Sequence, residues 1–365
     1  MEIAVTGLGM ITAVGNDARA TCAAIRAGIA RPRELPSMVV LDTETCEESL
    51  VVGHPVEGYS EGFALAGAWV RLALGCLDDL ARSASLPAPE DATFWARTGL
   101  LVVTPAHLVR RFGEGADDDA ALRAAYLERL LELWGRPIPP ASAALVSGGK
   151  AGVVVAVEQA RAALTGQVAD RVIVLAADSY LDDLSLSWLS EAARLKSEEN
   201  PVGLAPGEAA AAFLLELEPA ARRRRARVEA FVSSVAAARE ERAFLAGETS
   251  QGEALGDAIR RCLLEAGGGS AFDGDLVSDL TGEAWRANEL ACATVRALDL
   301  VRGARWVHPA SSLGDTGAAS GVISVCVAAR ALARGYARGR RALVVASSED
   351  GLVGAVQVTA VKGGA

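Results

Sequence analysis

Short apolar runs alternate with longer stretches of helical periodicity along the first part of the chain, which predicts strands followed by helices. Asn16 or Asp17 can cap the first helix, which ends at Gly28. Prolines at 137, 139 and 140 end the third helix. The predicted strands are 3–6, 100–103, 171–176 and 209–215, and the predicted helices are 17–28, 63–84 and 120–134.

The same alternation restarts after a basic run at 222–225. It predicts strands at 228–235, 276–280, 342–346 and 355–359, and helices at 252–266, 287–298 and 317–335. Two successive α/β halves with a boundary near 219–227 indicate an internal duplication, which is structural only because no close sequence repeat is visible. We therefore predict halves 1–220 and 221–365 within one compact unit.

The composition is consistent with a layered α/β core. Of the 365 residues, 51% are hydrophobic and only 5% are aromatic, so the core is built from Ala, Val and Leu. Such a composition suits tight packing of helices on both faces of a sheet. The length fits one large domain or two halves of about 180 residues.

The formal net charge of −10 argues against nucleic acid and anionic membranes as main partners. Two interpretations of the basic run 222–225 remain: a solvated turn, or a docking patch for an acidic carrier protein. We find no apolar run of membrane length and no signal-peptide pattern, which predicts a cytoplasmic protein.

The cysteines do not form a recognisable metal or disulfide motif, because there is no CxxC pair and no metal-ligand spacing. Most lie in apolar helical surroundings and are expected to be small buried hydrophobic residues. We therefore expect no bound metal and no cofactor. The six cysteines are Cys22, Cys46, Cys76, Cys262, Cys292 and Cys326.

The segment 146–152 has the pattern of a nucleophile elbow, because it ends a buried strand and opens a helix through Val157 and Leu164. Such a turn holds one side chain exposed on strained backbone. Lys150 stands where a serine or cysteine is expected. The turn 313–317 is the predicted counterpart in the second half.

Several segments, in this order and at these spacings, resemble the β-ketoacyl synthases of the thiolase superfamily. The resemblance implies a thiolase-like five-layered α-β-α-β-α fold built from two duplicated halves, and a dimer formed through sheet edges. The segments are VTGLGMI at 5–11, VSGGKAG at 146–152, LAAD at 175–178, PGEAAAA at 206–212 and SSLGDTGAASG at 311–321.

The resemblance implies the fold without the family's chemistry, which needs a cysteine, two histidines and a supporting lysine. Matched residue by residue, Lys150 takes the cysteine position, and Leu280 and Asp315 take the two histidine positions. Ala310 takes the lysine position. The family's glycine–phenylalanine loop appears as 347–351, without phenylalanine, so the loss extends to the whole catalytic set.

The three histidines, His54, His107 and His308, cannot supply a Ser-His-Asp or Cys-His arrangement at the elbow. His308 precedes Pro309 at a strand end, where a lone histidine is more often a structural hydrogen-bonding group than a base.

A lysine at a helix N-terminus is disfavoured by the helix dipole, by roughly 0.3–1 kcal/mol, and burial disfavours its charge further. Lys150 therefore requires an anion, for which Asp315 is the first choice and Asp279 and Glu283 are alternates. Two other interpretations are a nucleophilic or Schiff-base Lys150, and a shifted elbow with Ser147 as the nucleophile.

The polar segment 279–286 follows a strand end, where α/β proteins place ligands. It is either a turn in which Thr281 or Glu283 starts a helix, or a rebuilt ligand pocket. The candidate polar pocket comprises Ser147, Asp279, Glu283, Arg286, His308 and Asp350.

Three functions follow from the resemblance. The first is a non-catalytic partner or scaffold subunit in fatty-acid or polyketide-type metabolism, similar to a chain-length factor. It would form a homodimer or a heterodimer with an active ketosynthase and contact an acyl carrier protein. The second is an acyltransferase of the 3-oxoacyl-carrier-protein synthase type with a relocated mechanism. The third is an accessory binding protein that uses the fold as a surface.

Overall fold

The computed structural model describes residues 2–41, 48–265 and 272–362, so Cys46 lies outside the described residues. The strands are β1 Ile3–Thr12, β2 Arg33–Leu41, β3 Glu48–Gly53, β4 Thr98–Thr104, β5 Ala143–Ser147, β6 Arg171–Ser179, β7 Glu208–Leu217, β8 Ala230–Arg239, β9 Asp275–Ser278, β10 Arg305–Val307, β11 Arg341–Ser347 and β12 Leu352–Thr359.

The helices are α1 Ala18–Arg26, α2 Ala66–Ser83, α3 Ala92–Ala96, α4 Leu108–Phe112, α5 Asp119–Leu122, α6 Arg129–Trp134, α7 Gly152–Thr165, α8 Asp183–Glu191, α9 Glu218–Arg223, α10 Glu253–Glu265, α11 Ala284–Arg296, α12 Leu298–Val301, α13 Ala310–Leu313 and α14 Ala319–Ala333. A π-helical segment, Arg123–Glu128, joins α5 to α6. None of the helices within the described residues is long and apolar enough to cross a membrane.

The two halves of the chain have the same strand order and the same strand directions. Ten strands form one sheet in the order β10-β9-β11-β12-β8-β1-β7-β6-β4-β5. When only the five strands that each half contributes to this sheet are numbered, leaving out β2 and β3, both halves have the order third, second, fourth, fifth and first strand. In both halves the third, second and fourth strands are parallel, and the fifth is antiparallel to its two neighbours. This repeated topology confirms the predicted duplication.

The halves are joined at the first strand of each, where β1 pairs with β8 over the short stretch from Ile3 to Val5. Helix α9 connects β7 to β8 and lies at the boundary that the sequence predicts. The division into 1–220 and 221–365 stays a prediction.

Helices α7 and α14 lie between the two halves of the ten-stranded sheet and form the central layer. Their apolar side chains share one large core cluster with the inner faces of both halves. Helix α2 packs on the outer face of the first half, and α10 and α11 pack on the outer face of the second. The molecule therefore has the predicted five layers, and its strands read as continuous apolar runs because both faces of the sheet are buried.

The local differences from the predictions lie at strand ends, in one hairpin and in short helices that were not predicted, of which α8 is the longest. The strand predicted at 276–280 ends at Ser278, and Leu280 lies beyond it. The small sheet of β2 and β3 was not predicted. A half-buried strand is recognised by alternating apolar and polar residues, and the exposed Val39, Leu50 and Val52 place apolar residues where polar ones are expected.

Gly321 lies where α14 approaches the turn before α7. A Cβ at this position would lie 2.2 Å from the carbonyl oxygen of Lys150 and 2.7 Å from Val153 Cγ1. We expect Gly321→Ala to lower the free energy of unfolding by about 1–3 kcal/mol, because the backbone on the other side cannot move away easily. Urea unfolding monitored by circular dichroism measures the change.

Gly67 in α2 is the matched control, because the nearest atom to its added Cβ is 3.8 Å away. Gly67→Ala should be neutral or stabilising by up to about 1 kcal/mol, the ordinary helix-propensity gain. Equal effects of the two substitutions would contradict the close packing of the central layer.

Candidate functional site

The turn between β5 and α7 has the geometry of an elbow, but the residue in the left-handed conformation is Gly149, which adopts it without strain. Gly149 has a φ of +54°, and Lys150 follows it in a short 3₁₀ turn, Gly149–Ala151. The Lys150 side chain is only 1% exposed. The prediction of an exposed side chain at the elbow is therefore wrong: the lysine turns inward, to where acidic groups surround it.

Lys150 forms the ion pair predicted for it. Its Nζ donates to Asp315 Oδ2 at 2.6 Å, and Glu349 Oε1 lies 3.6 Å from the same nitrogen. The other oxygen of Asp315 accepts from the backbone N–H of Gly317 at 2.9 Å. The proposed pair is confirmed, and neither alternate carboxylate takes its place.

Glu349 extends the pair into a buried chain of charges. Arg194 Nη2 donates to Glu349 Oε1 at 3.0 Å. The same guanidinium donates hydrogen bonds to both carboxylate oxygens of Glu283, at 2.7 and 2.9 Å. The cluster Asp315–Lys150–Glu349–Arg194–Glu283, which we call the ion cluster, takes both cations from the first half and all three carboxylates from the second.

The ion cluster keeps Lys150 protonated. Burial lowers the pKa of Lys150, but the carboxylates of Asp315 and Glu349 raise it by more, so the net shift is upward. A protonated amine has no lone pair for attack, which argues against the nucleophilic and Schiff-base interpretations.

The carboxylates of the cluster respond differently to their surroundings. Burial raises the pKa of Asp315, and Lys150 opposes this only in part. Burial also acts to raise the pKa of Glu349, but Lys150 and Arg194 together hold it far below its usual value. Glu349, which contacts both cations, is therefore the firmly ionised centre of the cluster.

The space around Lys150 is almost completely filled. The cavity beside it has a volume of about 20 Å³, and Tyr180, Trp188, His107 and Glu349 are among its walls. A cavity of this size holds about one water molecule. A thioester or an acyl chain has no room here.

Each half caps the central helix of the other. Asp178, in β6 of the first half, accepts from the N–H of Ala318 at the start of α14 at 2.9 Å. Ser348, after β11 of the second half, accepts from the N–H of Ala151 at the start of α7, also at 2.9 Å. The two N-termini thus meet at the ion cluster.

Arg111 makes a second buried ion pair beside the cluster. Its Nη1 donates to Asp178 Oδ1 at 2.8 Å, and its Nε donates to Ser185 Oγ at 2.6 Å. The guanidinium lies 4.4 Å from the ring centre of Tyr180. These contacts tie helix α4 to helix α8 over the filled cavity.

The predicted polar pocket does not form, because its members belong to separate networks. Arg286 pairs with Asp279 and, at 3.0 Å, with Glu289. Asp279 also accepts from the N–H of Ser347 at 2.8 Å. Glu283 occupies the N-cap position of α11, but its side chain binds Arg194 and does not cap the helix.

The other predicted residues lie apart from these networks. The exposed Ser147 lines a cavity of about 530 Å³ next to β5, and no base contacts its hydroxyl in the described part of the chain. His308 Nδ1 bonds Ser278 Oγ at 2.8 Å, as expected for a structural histidine. Asp350 lies 3.7 Å from Arg239 near the surface.

Two of the positions matched to the family's catalytic residues are not polar. Leu280 is half-buried and packs against the apolar cluster on the outer side of the second half. Ala310 begins α13. Neither position offers an acid, a base or a nucleophile.

The described cysteines are not at the ion cluster. Cys22, Cys76, Cys262 and Cys326 are buried, and burial raises the pKa of Cys22 and Cys262 to about 12. Cys292 is partly exposed on α11. Over the described ranges, no three His, Cys, Asp or Glu side chains are placed to hold a metal ion.

The basic run at 222–225 is partly neutralised. Arg222 pairs with Glu218 at 2.5 Å, and Arg224 pairs with the buried Glu216 and contacts Thr6. Arg222 therefore lies in the exposed last turn of α9 and not in a connecting turn, whereas Arg224 anchors α9 to the sheet. The docking interpretation of the basic run stays a prediction.

No protein-family model matches the chain, and no curated protein matches it. Solved structures with the same architecture include a type II polyketide synthase acyl-carrier protein in complex with its ketosynthase, AntDE:AntF. It has a TM-score of 0.78 and 16% identity over 99% of both chains. The ishigamide ketosynthase/chain length factor has a TM-score of 0.74 and 15% identity, again over 99% of both chains.

A Streptomyces albus JA3453 oxazolomycin ketosynthase domain has a TM-score of 0.76 and 16% identity, over 99% of this chain and 75% of that one. At such identities the likeness establishes architecture alone. The chain has the thiolase-like ketosynthase fold.

Removing the lysine should leave buried carboxylates without their cation. We expect Lys150→Ala to lower the free energy of unfolding by about 3–5 kcal/mol, measured by urea denaturation. The control is the exposed pair Arg129–Glu132, whose side chains are 57% and 67% exposed, so that Arg129→Ala should change stability by less than about 0.5 kcal/mol.

The double variant Lys150→Met, Asp315→Leu tests whether unpaired charge causes the loss. Replacing a buried pair with apolar groups of similar size is often neutral. The double variant should therefore recover most of the free energy of unfolding that Lys150→Ala removes. A loss below about half a kcal/mol for Lys150→Ala would contradict a structural role for the pair.

Proposed function

We propose that the chain is a non-catalytic ketosynthase-fold subunit that acts as a partner or scaffold for a cysteine-bearing ketosynthase. The observation that carries this proposal is the filled site: the buried Lys150–Asp315 pair leaves a cavity of only about 20 Å³. Claisen condensation requires a thiolate and space for an acyl chain. Both are missing where the resemblance places them.

The resemblance in sequence and the fold support the kind of partner. One solved structure of this fold is a ketosynthase/chain length factor, and another is a ketosynthase in complex with an acyl-carrier protein. We infer a second ketosynthase-fold chain as the direct partner and place the pair in fatty-acid or polyketide-type metabolism. An acyl carrier protein would then reach the pair through the active subunit.

The position of β5 at the edge of the sheet supports strand pairing as the way in which the partner binds. At the start of this edge, Arg123 Nη1 donates to Ala143 O at 3.3 Å. Strand β5 ends the sheet and pairs only with β4 in the described part of the chain. The backbone N–H of Gly148 donates to the carbonyl oxygen of Thr104 in β4. Because successive N–H groups along a strand point in opposite directions, the N–H of Leu145, three residues earlier, faces away from β4. An unpaired edge in a buried sheet is a template for strand pairing with a second chain.

The catalytic part of the proposal is tested with labelled substrates. The purified chain should release no labelled CO₂ from malonyl-carrier protein above the buffer rate and should form no covalent adduct with radiolabelled acyl-CoA. A cysteine-bearing ketosynthase is the positive control. A stable acyl adduct would overturn the proposal and favour an acyltransferase with a relocated mechanism.

The assembly part is tested at the β5 edge. Leu145→Pro removes an N–H that β4 does not use, so the thermal midpoint should change little while pairing through this edge is blocked. When the chain is co-expressed with a ketosynthase from the same organism, light scattering should show a dimer of the two proteins. The variant should be a monomer of 37.6 kDa.

Trp306→Pro on β10, at the opposite edge of the sheet, is the matched control. Arg305 N donates to Gly274 O, so Trp306 N–H also faces away from the sheet. This variant should still assemble. The proposed edge would be contradicted if the Trp306→Pro variant dissociated while the Leu145→Pro variant stayed a dimer. The partner role would be contradicted if the wild-type chain stayed monomeric in the presence of the ketosynthase.

A further inference from the structure

A third cavity, of about 270 Å³, lies between α1, α14 and the edge strand β10. It shares no lining residue with the small cavity beside Lys150. Its volume is near the lower end of ligand pockets, which run to about 300–1,000 Å³. We call it the β10 cavity.

The β10 cavity has an apolar floor and aromatic walls. Buried Cys22, Val277 and Ala328 form part of the floor. The Trp306 indole stacks on the His308 ring, with ring centres 5.9 Å apart and an angle of 21° between the planes. Trp306 is 40% exposed, which is unusual for a chain in which most tryptophans are covered. Such walls suit a flat, apolar ligand.

Two polar groups that line the cavity make no hydrogen bond within the described part of the chain. His308 bonds Ser278 through Nδ1, and its Nε2 has no hydrogen-bond partner within the described ranges. The same holds for the hydroxyl of Tyr336. Burial lowers the pKa of His308, with Asp279 opposing, so the ring is neutral near pH 7.

Arg26 supplies the unbalanced charge of the cavity. Its guanidinium lies over the Tyr336 ring, 4.5 Å from the centre, and has no carboxylate partner in the described part of the chain. The other cation, Arg305, is held by both oxygens of Asp275 at 2.7 Å. The charges of Arg305 and Asp275 cancel, which leaves the cavity with one net positive charge.

We propose that the β10 cavity binds a small aromatic carboxylate. The ring packs against Trp306 and Tyr336, and the carboxylate pairs with Arg26, whose planar fork matches two oxygens. His308 Nε2 offers a further polar contact at the rim. The cavity lies away from the ion cluster and from β5, so this inference is independent of the proposed function.

The test uses 2-naphthoate as the probe and 2-naphthalenemethanol as its uncharged counterpart, in calorimetric titrations of the full chain. We expect saturable binding of 2-naphthoate with a dissociation constant of about 1 mM or below. The alcohol should bind at least about tenfold more weakly, because it lacks the charge that pairs with Arg26.

Two variants separate the charge from the aromatic wall. Arg26→Gln should weaken binding of 2-naphthoate at least about tenfold and leave binding of the alcohol unchanged. Trp306→Ala should weaken both ligands. Arg19→Gln is the control, because Arg19 is an exposed arginine on the same helix that does not line the cavity.

Thermal unfolding of each variant verifies that it is folded before binding is measured. The proposal is overturned if 2-naphthoate shows no saturable binding to the wild-type chain. It is also overturned if Arg26→Gln binds the probe as well as the wild type does, or if Arg19→Gln loses binding to the same extent.

Discussion

The buried pair of Lys150 and Asp315 is the contact on which the centre of the molecule depends, because it joins the two halves through side chains that are at most 1% exposed. The first half contributes only cations to the ion cluster, and the second half contributes only carboxylates. A buried pair is weak evidence for net stability, but an unpaired member is strongly destabilising. Each half thus carries a charge that only the other half neutralises.

The duplication explains why these charges meet. Gly149 before α7 and Gly317 before α14 both have a φ of +54°, so both halves enter the central helix through the same kind of turn. The two helix N-termini converge, and each carries the positive end of a helix dipole. Anions are favoured at such a place. Asp178, Asp315 and Glu349 lie there, and Lys150 and Arg111 offset their excess charge.

Much of the fold could be predicted from the sequence, because continuous apolar strands and amphipathic helices leave a clear period in the chain. The Lys150–Asp315 pair could be predicted too, since the resemblance aligned both residues with positions that meet in one site. Glu349 and Arg194 were missed. Neither has a local signal: Glu349 lies in a loop read only for its lost phenylalanine, and Arg194 lies in the segment after α8, without a periodic pattern.

The prediction that these polar residues form one pocket was wrong for a related reason. Asp279, Glu283 and Arg286 are close in sequence, and proximity suggested one shared pocket. Their side chains leave the turn in different directions, so that Glu283 reaches Arg194 while Arg286 folds back on Asp279 and Glu289. The composition of a turn therefore indicates which charges are present, but only the packed neighbours decide which of them pair.

The ion cluster also determines what a substitution of Lys150 by a cysteine would require of the neighbouring residues. A cysteine in place of Lys150 would remove the cation that Asp315 and Glu349 share, while the acidic groups would stay buried. The surrounding carboxylates would raise the pKa of the new thiol, because like charges and burial both disfavour a thiolate. A reactive cysteine thus requires the carboxylates to be replaced together with the lysine. This coupling links positions 150, 315 and 349, so a change at one of them requires changes at the others.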